Sequence, residues 1–388
     1  MTRHTAWLVA GLLAAGAAAR VDPVQAGAEK PSGILVFPRI EVDTARGVDT
    51  IVQLSNHSTG NAGLRCFYVN GLGSCGNSPS TICRSAADCQ PSIGCVDQCQ
   101  EIDFILTLTR GQTLGFLASQ GLMPPVIDVP PGSVPPTHTD PFFGELKCVQ
   151  TDPVTDAPVA GNDLIGTATI MHTAGPDAAA YSAIGIESTG RNDGDDTLCL
   201  GSNATGTCTA AEYVRCPQEL DLNHFFEGAN VAGALIENEL TLVPCSQTLG
   251  PPPAPLVNQV ELTVFNEFEE RRCGTFSVGC VGDIHFADHP LFSIGVQGTL
   301  AGHTRLRAPV GSEDDVGHAL LGIALERHVR SGSPARSAAY SLTSEESSAQ
   351  ADFIHIPAPP APGFARAAQP RPPTKFSMPA ALNHRQTP

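Results

Sequence analysis

The segment GILVFPRIEVDTARGVDTIVQLSNHSTGNAGLRCFYVNG, Gly33 to Gly71, sets the fold class. It holds three runs of strand length, GILVFPRIEVD, DTIVQLSN and LRCFYVNG, each rich in β-branched or aromatic residues and separated by Asn, Gly, Ser and Thr. Runs of this kind bounded by turn formers read as β-strands, because branched side chains suit a pleated surface and the intervening residues suit bends. Pro38 has no N–H to give to a ladder, so the first run is expected at a sheet edge.

The same signal recurs along the chain. IDFILTLTRG from Ile102, QTLGFLAS from Gln112, GELKCVQTD from Gly144, LIGTATIMHT from Leu164 and YSAIGIES from Tyr181 continue it. NELTLVPC from Asn238, QVELTVFNEF from Gln259 and GTFSVGCV from Gly274 follow, and HALLGIALERHV from His318 reads as a strand or a short helix. Many short strands with few amphipathic helical stretches predict an all-β protein, an antiparallel, Ig-like β-sandwich, built as one large sandwich or two packed ones. A faint internal echo relates Ile51–Val69 to Leu262–Val281, each reading as a strand, an Asn-led bend and a Cys-bearing strand.

Residues 1–26 combine Arg3 with the apolar stretch Ala6–Ala19 and small residues at Val24 and Ala26, the pattern of a cleavable signal peptide. Fourteen apolar residues span about 21 Å as a helix, short of the roughly 30 Å of a bilayer core, so no transmembrane anchor is expected. The expected location is exported: periplasm, cell surface or extracellular. Export changes how the 13 cysteines are read, since thiols become cross-links in an oxidising compartment. Cys66, Cys75, Cys83, Cys89, Cys95 and Cys99 crowd together, and six cysteines admit fifteen pairings that spacing does not resolve. Their gaps do not form the C-x2-C knuckles of a zinc site. Cys148, Cys199, Cys208, Cys216, Cys245, Cys273 and Cys280 complete an odd set, so one thiol is left free or intermolecular.

The expected organisation places β-sandwich structure over 27–250, with a Cys-rich insertion at 71–99 held by its own bridges and a Pro-rich surface loop at 122–141. A second β region follows over 256–352, in a separate body or the same one, past the PPPAP stretch at Pro251–Pro255. Residues 353–388 are Pro-rich and basic, and are expected to be a disordered tail. The whole chain has 39 acidic and 22 basic residues. Removing one acidic and two basic residues with 1–26, and four basic residues with 353–388, leaves 38 against 16. Such a body repels nucleic acid, and its expected partner is an extracellular or cell-surface macromolecule.

The opening strands, the GELKC strand, NDGDDTLCLG and FNEFEE together resemble a group of exported bacterial proteins without assigned function that are sandwich-like. TICRSAADCQPSIGC is similar to short disulfide repeats in secreted proteins of predatory and soil-dwelling bacteria. The resemblance implies export and β structure. It brings no catalytic residues.

Three local patterns carry candidate chemistry. Asp193, Asp195 and Asp196, with Asn192 around Gly194, offer alternating oxygens on a bent loop, which suits calcium, although they are also the residues of an ordinary turn. His285 and His289, flanked by Asp283 and Asp288, have the i, i+4 spacing of zinc ligands on a helix, but lack the adjoining glutamate of zinc peptidases and precede Pro290. Glu267 and Glu269 would share a strand face at nearly 7 Å, within the range of glycosidase carboxylates, and Asp103 is a further acid for such a reading. No nucleophile elbow, P-loop or dinucleotide fingerprint occurs. The sequence therefore favours a non-enzymatic, adhesion-like structural or interaction protein without a cofactor, ahead of a calcium-dependent binding module and a secreted hydrolase.

Overall fold

The computed structural model describes residues 30–76, 78–83, 89, 95–97, 99–122, 133–203, 206–250, 258–308, 318–344 and 350–357. The expected leader, the PPPAP boundary, residues 123–132 of the Pro-rich loop and residues 358–388 of the tail lie outside them.

The strands run in chain order β1 (Ile34–Val42), β2 (Val48–Asn56), β3 (Ala62–Asn70), β4 (Gly73–Cys75), β5 (Ser78–Cys83), β6 (Cys95–Asp97), β7 (Glu101–Leu108) and β8 (Thr113–Leu117). They continue as β9 (Phe142–Thr151), β10 (Leu164–His172), β11 (Ala178–Ser182), β12 (Ile184–Ile186), β13 (Thr197–Leu200), β14 (Glu219–Phe225), β15 (Asn230–Val231), β16 (Ala234–Pro244) and β17 (Gln247–Thr248). After β18 (Asn258–Asn266), β19 (Arg271–Val278) and β20 (Gly282–His285), a four-residue helix, α1 (Ile294–Gln297), precedes β21 (Ala301–Arg307). β22 (Leu320–Val329), β23 (Arg336–Ser341), β24 (Thr343–Ser344) and β25 (Asp352–His355) complete the order. The protein is all-β, and the ambiguous HALLGIALERHV run is strand.

The sheets do not compose a sandwich, single or paired, and the Ig-like expectation is corrected with it. Five sheets are set as a propeller-like ring, with strand orders β12-β1-β9-β3-β7, β11-β10-β2-β8, β13-β25-β17, β19-β18-β21-β14-β24 and β15-β16-β22-β23. The reason is burial. In a two-layer sandwich each sheet keeps one face in water, whereas every residue of β1, β3 and β9 is buried. Leu35, Phe37, Leu64, Cys66, Tyr68 and Leu146 point to a core shared with β2, β8 and β10. Their neighbours Ile34, Val36, Phe67, Val69 and Val149 join a second core with Leu198, Val243, Leu321 and Ile354. A third core packs β14, β18 and β21 against β16 and β22, through Leu222, Leu262 and Leu306 on one side and Leu240, Leu242 and Ala324 on the other.

Residues of the GELKC stretch show how tight the first sheet is. A Cβ on Gly144 would lie 2.0 Å from the carbonyl oxygen of Val69, so only glycine permits this approach of β9 to β3. The alternate residues Glu145 and Lys147 are completely buried, 3.6 Å apart. Gln247 donates to Glu145 Oε1 at 2.7 Å, and Lys147 donates to the Gln247 side chain. Burial pushes the Glu145 carboxyl up and the Lys147 ammonium down, and each is drawn back by the other.

Four further expectations change. β1 is an interior strand, paired on both sides with β12 and β9, because Pro38 sits where the β1–β9 register slips between Phe37 and Ile40 and no ladder donor is missed. Residues 353–357 are not tail: β25 pairs with β13 and β17, and Ile354 and Ile356 are core residues. The described end of the Pro-rich loop is not wholly a surface segment, since Val134 bridges Leu122 and is fully buried. The internal echo is local only. Asn56 and Asn266 each accept an N–H two residues on, from Ser58 and Phe268, yet β2 and β3 belong to different sheets while β18 and β19 form one hairpin.

Disulfides tie the sheets together. Cys66–Cys148 joins directly opposed residues of β3 and β9. Cys75–Cys89 closes within the insertion, whose β4, β5 and β6 make a small sheet. Cys99–Cys280 links segments 181 residues apart, and Cys199–Cys208 and Cys216–Cys245 hold the middle of the chain. The insertion is thus anchored by the outward bridge of Cys99 as well as by its own. Cys83 is also bonded, and the free cysteine among the described residues is the exposed Cys273 on β19.

Candidate functional site

The irregularity at Pro38 decides where the chain places its most conspicuous charge. Arg39 occupies the slipped segment, a geometry that re-aims side chains, and its guanidinium is carried inward until the residue is 3 % exposed. Glu41 of the same strand meets it at 2.7 Å, and Glu239 of β16 at 2.5 Å. Asp283 of β20 lies 4.0 Å from Nη1. The planar group also lies 5.1 Å from the Phe143 ring centroid, a favourable cation–π position. Burial opposes the Arg39 charge, but the three carboxylates outweigh it and hold its pKa above the ordinary value. Tyr181 fixes the backbone here, accepting from Arg39 N at 3.2 Å and donating to Arg39 O.

Antiparallel pairing of β16 with β20 sets Glu239 directly opposite His285 and Thr241 opposite Asp283. Because strand side chains alternate, Asp283 and His285 share a face, and Glu239 joins them from the neighbouring strand. His285 Nδ1 is 3.6 Å from Glu239 Oε1, and Nε2 is 3.4 Å from Asp283 Oδ2. The bond to Asp283 raises the His285 pKa above its usual value despite partial burial.

Arg39, Glu41, Glu239 and His285 line a cavity of about 110 Å³ between the β1, β10–β11 and β16–β22 regions, together with Arg46 and Asp177. On its far side Ser337 donates to Asp177 Oδ2 at 3.0 Å, and Arg327 reaches Asp177 at 3.9 Å and Glu237 at 3.6 Å. Arg46 closes the rim, bonding Asp43 at 2.5 Å and approaching Glu41 at 3.7 Å. Charged side chains of both signs share the lining with Val48, Ile170 and Leu325, so the cavity offers a charged species several partners against an apolar wall.

The other candidates are placed differently. Asp193, Asp195 and Asp196 are exposed. Asp193 Oδ1 accepts the N–H of Asp195 and Asp195 Oδ1 that of Thr197, while Asp193 N donates to Glu212, so the loop organises its own turn. His289 does not approach His285 as a second ligand would: it lies in the 3-10 turns after β20, with its ring edge-on to Phe292 at 5.5 Å. Glu267 and Glu269 do not share a strand face, because β18 ends at Asn266 and both sit on the turn to β19, Glu269 with a φ of 62°. Asp103 is on another sheet, paired with Arg65 at 3.0 Å.

Among the described residues, two clusters bring three metal-ligating side chains within 4.8 Å of one another: Cys75, Cys83 and Cys89, and Glu239, Asp283 and His285. The sulfurs of the first are disulfide-bonded and are not thiolate ligands. Sequence spacing missed Glu239 and Arg39, which come from strands remote from His285. Charges set within apolar strands at both positions were the only available signal.

No family model matches the chain, and no curated protein matches it. Among solved structures, the chain is similar to the Thermotoga maritima 1070 protein at 5 % identity, over 34 % of this chain and 97 % of that one, with a TM-score of 0.25.

Proposed function

We propose that the chain is an exported, non-enzymatic structural or interaction protein of the bacterial periplasm, cell surface or extracellular space, stapled by disulfides and presenting an acidic body to another macromolecule outside the cytoplasm. The observation that supports this reading most is the network of bonded cysteines, eleven among the described residues, including a bridge between positions 181 residues apart. Such bridges form and persist in oxidising compartments and are reduced in the cytosol. The apolar leader, the resemblance to exported bacterial proteins, and the excess of acidic residues agree with it.

The test is fractionation of a bacterial host expressing the full chain, with mass spectrometry and thiol counting. The reading expects a protein outside the cytoplasm, lacking residues 1–26, with Cys273 as the thiol that labels without reduction. A full-length cytosolic product with many reactive thiols would refute it. A surface partner is then sought by cross-linking on intact cells.

A further inference from the structure

We propose that Glu239, Asp283 and His285 form a binding site for one zinc ion beside the Arg39 cavity, which Glu239 and His285 line. The proposal goes beyond the export reading and stands or falls separately from it.

Geometry comes first. The three residues are assembled by strand register, from two neighbouring strands and one sheet face, and one ligand atom from each lies within 4.8 Å of the others. A tetrahedral zinc ion with bonds of about 2.0–2.1 Å separates its ligand atoms by roughly 3.4 Å. Asp283 Oδ2 stands 3.4 Å from Nε2 and Glu239 Oε1 3.6 Å from Nδ1, so the carboxylates flank the ring at its two nitrogens. The His285 side chain is 38 % exposed, so its ring has room to turn one nitrogen toward the space between both carboxylates.

Arg39 supplies the orientation that ligating carboxylates need from an outer shell. Its Nη2 holds Glu239 by Oε2, and its Nη1 faces Asp283 Oδ1, so Oε1 and Oδ2 are the oxygens presented to His285.

An independent observation at the same cavity is Asp177. It is 8 % exposed, it lines the cavity, and its Oδ1 has no hydrogen-bond partner among the described residues. A buried orphan acceptor carries a desolvation cost that a water held in the cavity would relieve. Three protein ligands leave a fourth position open to a water from the adjoining cavity. The donor set selects the ion, since imidazole with carboxylates suits zinc, whereas calcium takes oxygen ligands alone.

The experiment uses the oxidised mature protein carrying Cys273→Ser, stripped with a chelator and titrated with Zn2+ against a chromophoric competitor. One zinc per chain is expected. His285→Ala and Asp283→Asn are each expected to weaken binding about 100-fold or more, with His289→Ala and Asp193→Asn unchanged. Circular dichroism confirms that each variant is folded, and Co2+ in place of Zn2+ gives a second readout, a visible absorption band lost with His285→Ala. Absence of zinc binding in the parent would overturn the proposal. So would binding that survives both His285→Ala and Asp283→Asn, or that disappears with Asp193→Asn or His289→Ala.

Discussion

Replacing Lys147 with methionine tests directly whether the first sheet is buried on both faces. In this fold the face of β9 that carries Glu145 and Lys147 packs beneath Pro244 and Gln247, with both side chains at zero exposure. At 3.6 Å and an effective dielectric of about 20, the pair attracts by about 5 kcal/mol, a sum set against the desolvation of both ions. Methionine fills much the same volume but leaves Glu145 as a buried anion supported by Gln247 alone, and breaking a pair this way costs about 3–5 kcal/mol. The loss has a pH signature. Burial already pushes the Glu145 carboxyl up, and removing Lys147 pushes it higher, so the variant takes up a proton on mild acidification and recovers part of the loss. The double variant Lys147→Met, Glu145→Gln removes both charges and should return to within about 1 kcal/mol of the parent. Urea unfolding with disulfides intact, at pH 7.5 and pH 5, measures all three. A loss below about 1 kcal/mol for Lys147→Met at pH 7.5, with no pH dependence, would mean this face of β9 is solvated and the second core does not exist.

Asp352 provides a second titration. It is completely buried, and burial pushes its carboxyl up to about 7 although Ser246 and the Ala319 N–H donate to it. A folded-state pKa raised above the unfolded one means the native state holds its proton longer, so this site's contribution is fully present below about pH 4 and is lost as pH rises to 7. At 1.36 kcal/mol per unit over roughly three units, the swing is about 4 kcal/mol, and Asp352→Asn should remove it from a stability profile measured between pH 4 and pH 8. Removing the Cys99–Cys280 bridge by a double alanine substitution should cost about 2–5 kcal/mol in urea unfolding, because it closes a long loop. Cys273→Ser, at an exposed free thiol, should change stability by no more than about 0.5 kcal/mol and abolish labelling of the oxidised protein.

The strands were legible because their signal is local. The β-branched runs from Gly33, Asp49, Leu64 and Gly144 became β1, β2, β3 and β9, since pleated backbone and branched side chains suit each other wherever the strand lies. Which strands would be neighbours was not legible. Pro38 read as an edge marker because a proline cannot give to a ladder, and a register slip removed that demand. FNEFEE alternates like a strand, but Asn266 terminates β18 by accepting from Phe268 and Glu270. His285 drew notice through its spacing to His289, whereas its partners are Asp283, two residues before it, and Glu239, brought in by strand pairing.

By itself, then, the chain's composition and local patterns determined an all-β body, a cysteine set suited to disulfides and an odd thiol, because strand propensity and cysteine parity need no knowledge of what lies across a sheet. Tertiary structure alone decided that the first sheet is buried on both faces, that Ile354 and Ile356 belong to the core, and that Arg39, Glu239, Asp283 and His285 meet. Those outcomes depend on register and on the covering of a second face. A charged residue in an alternating strand reads identically whether water or another sheet lies beyond it.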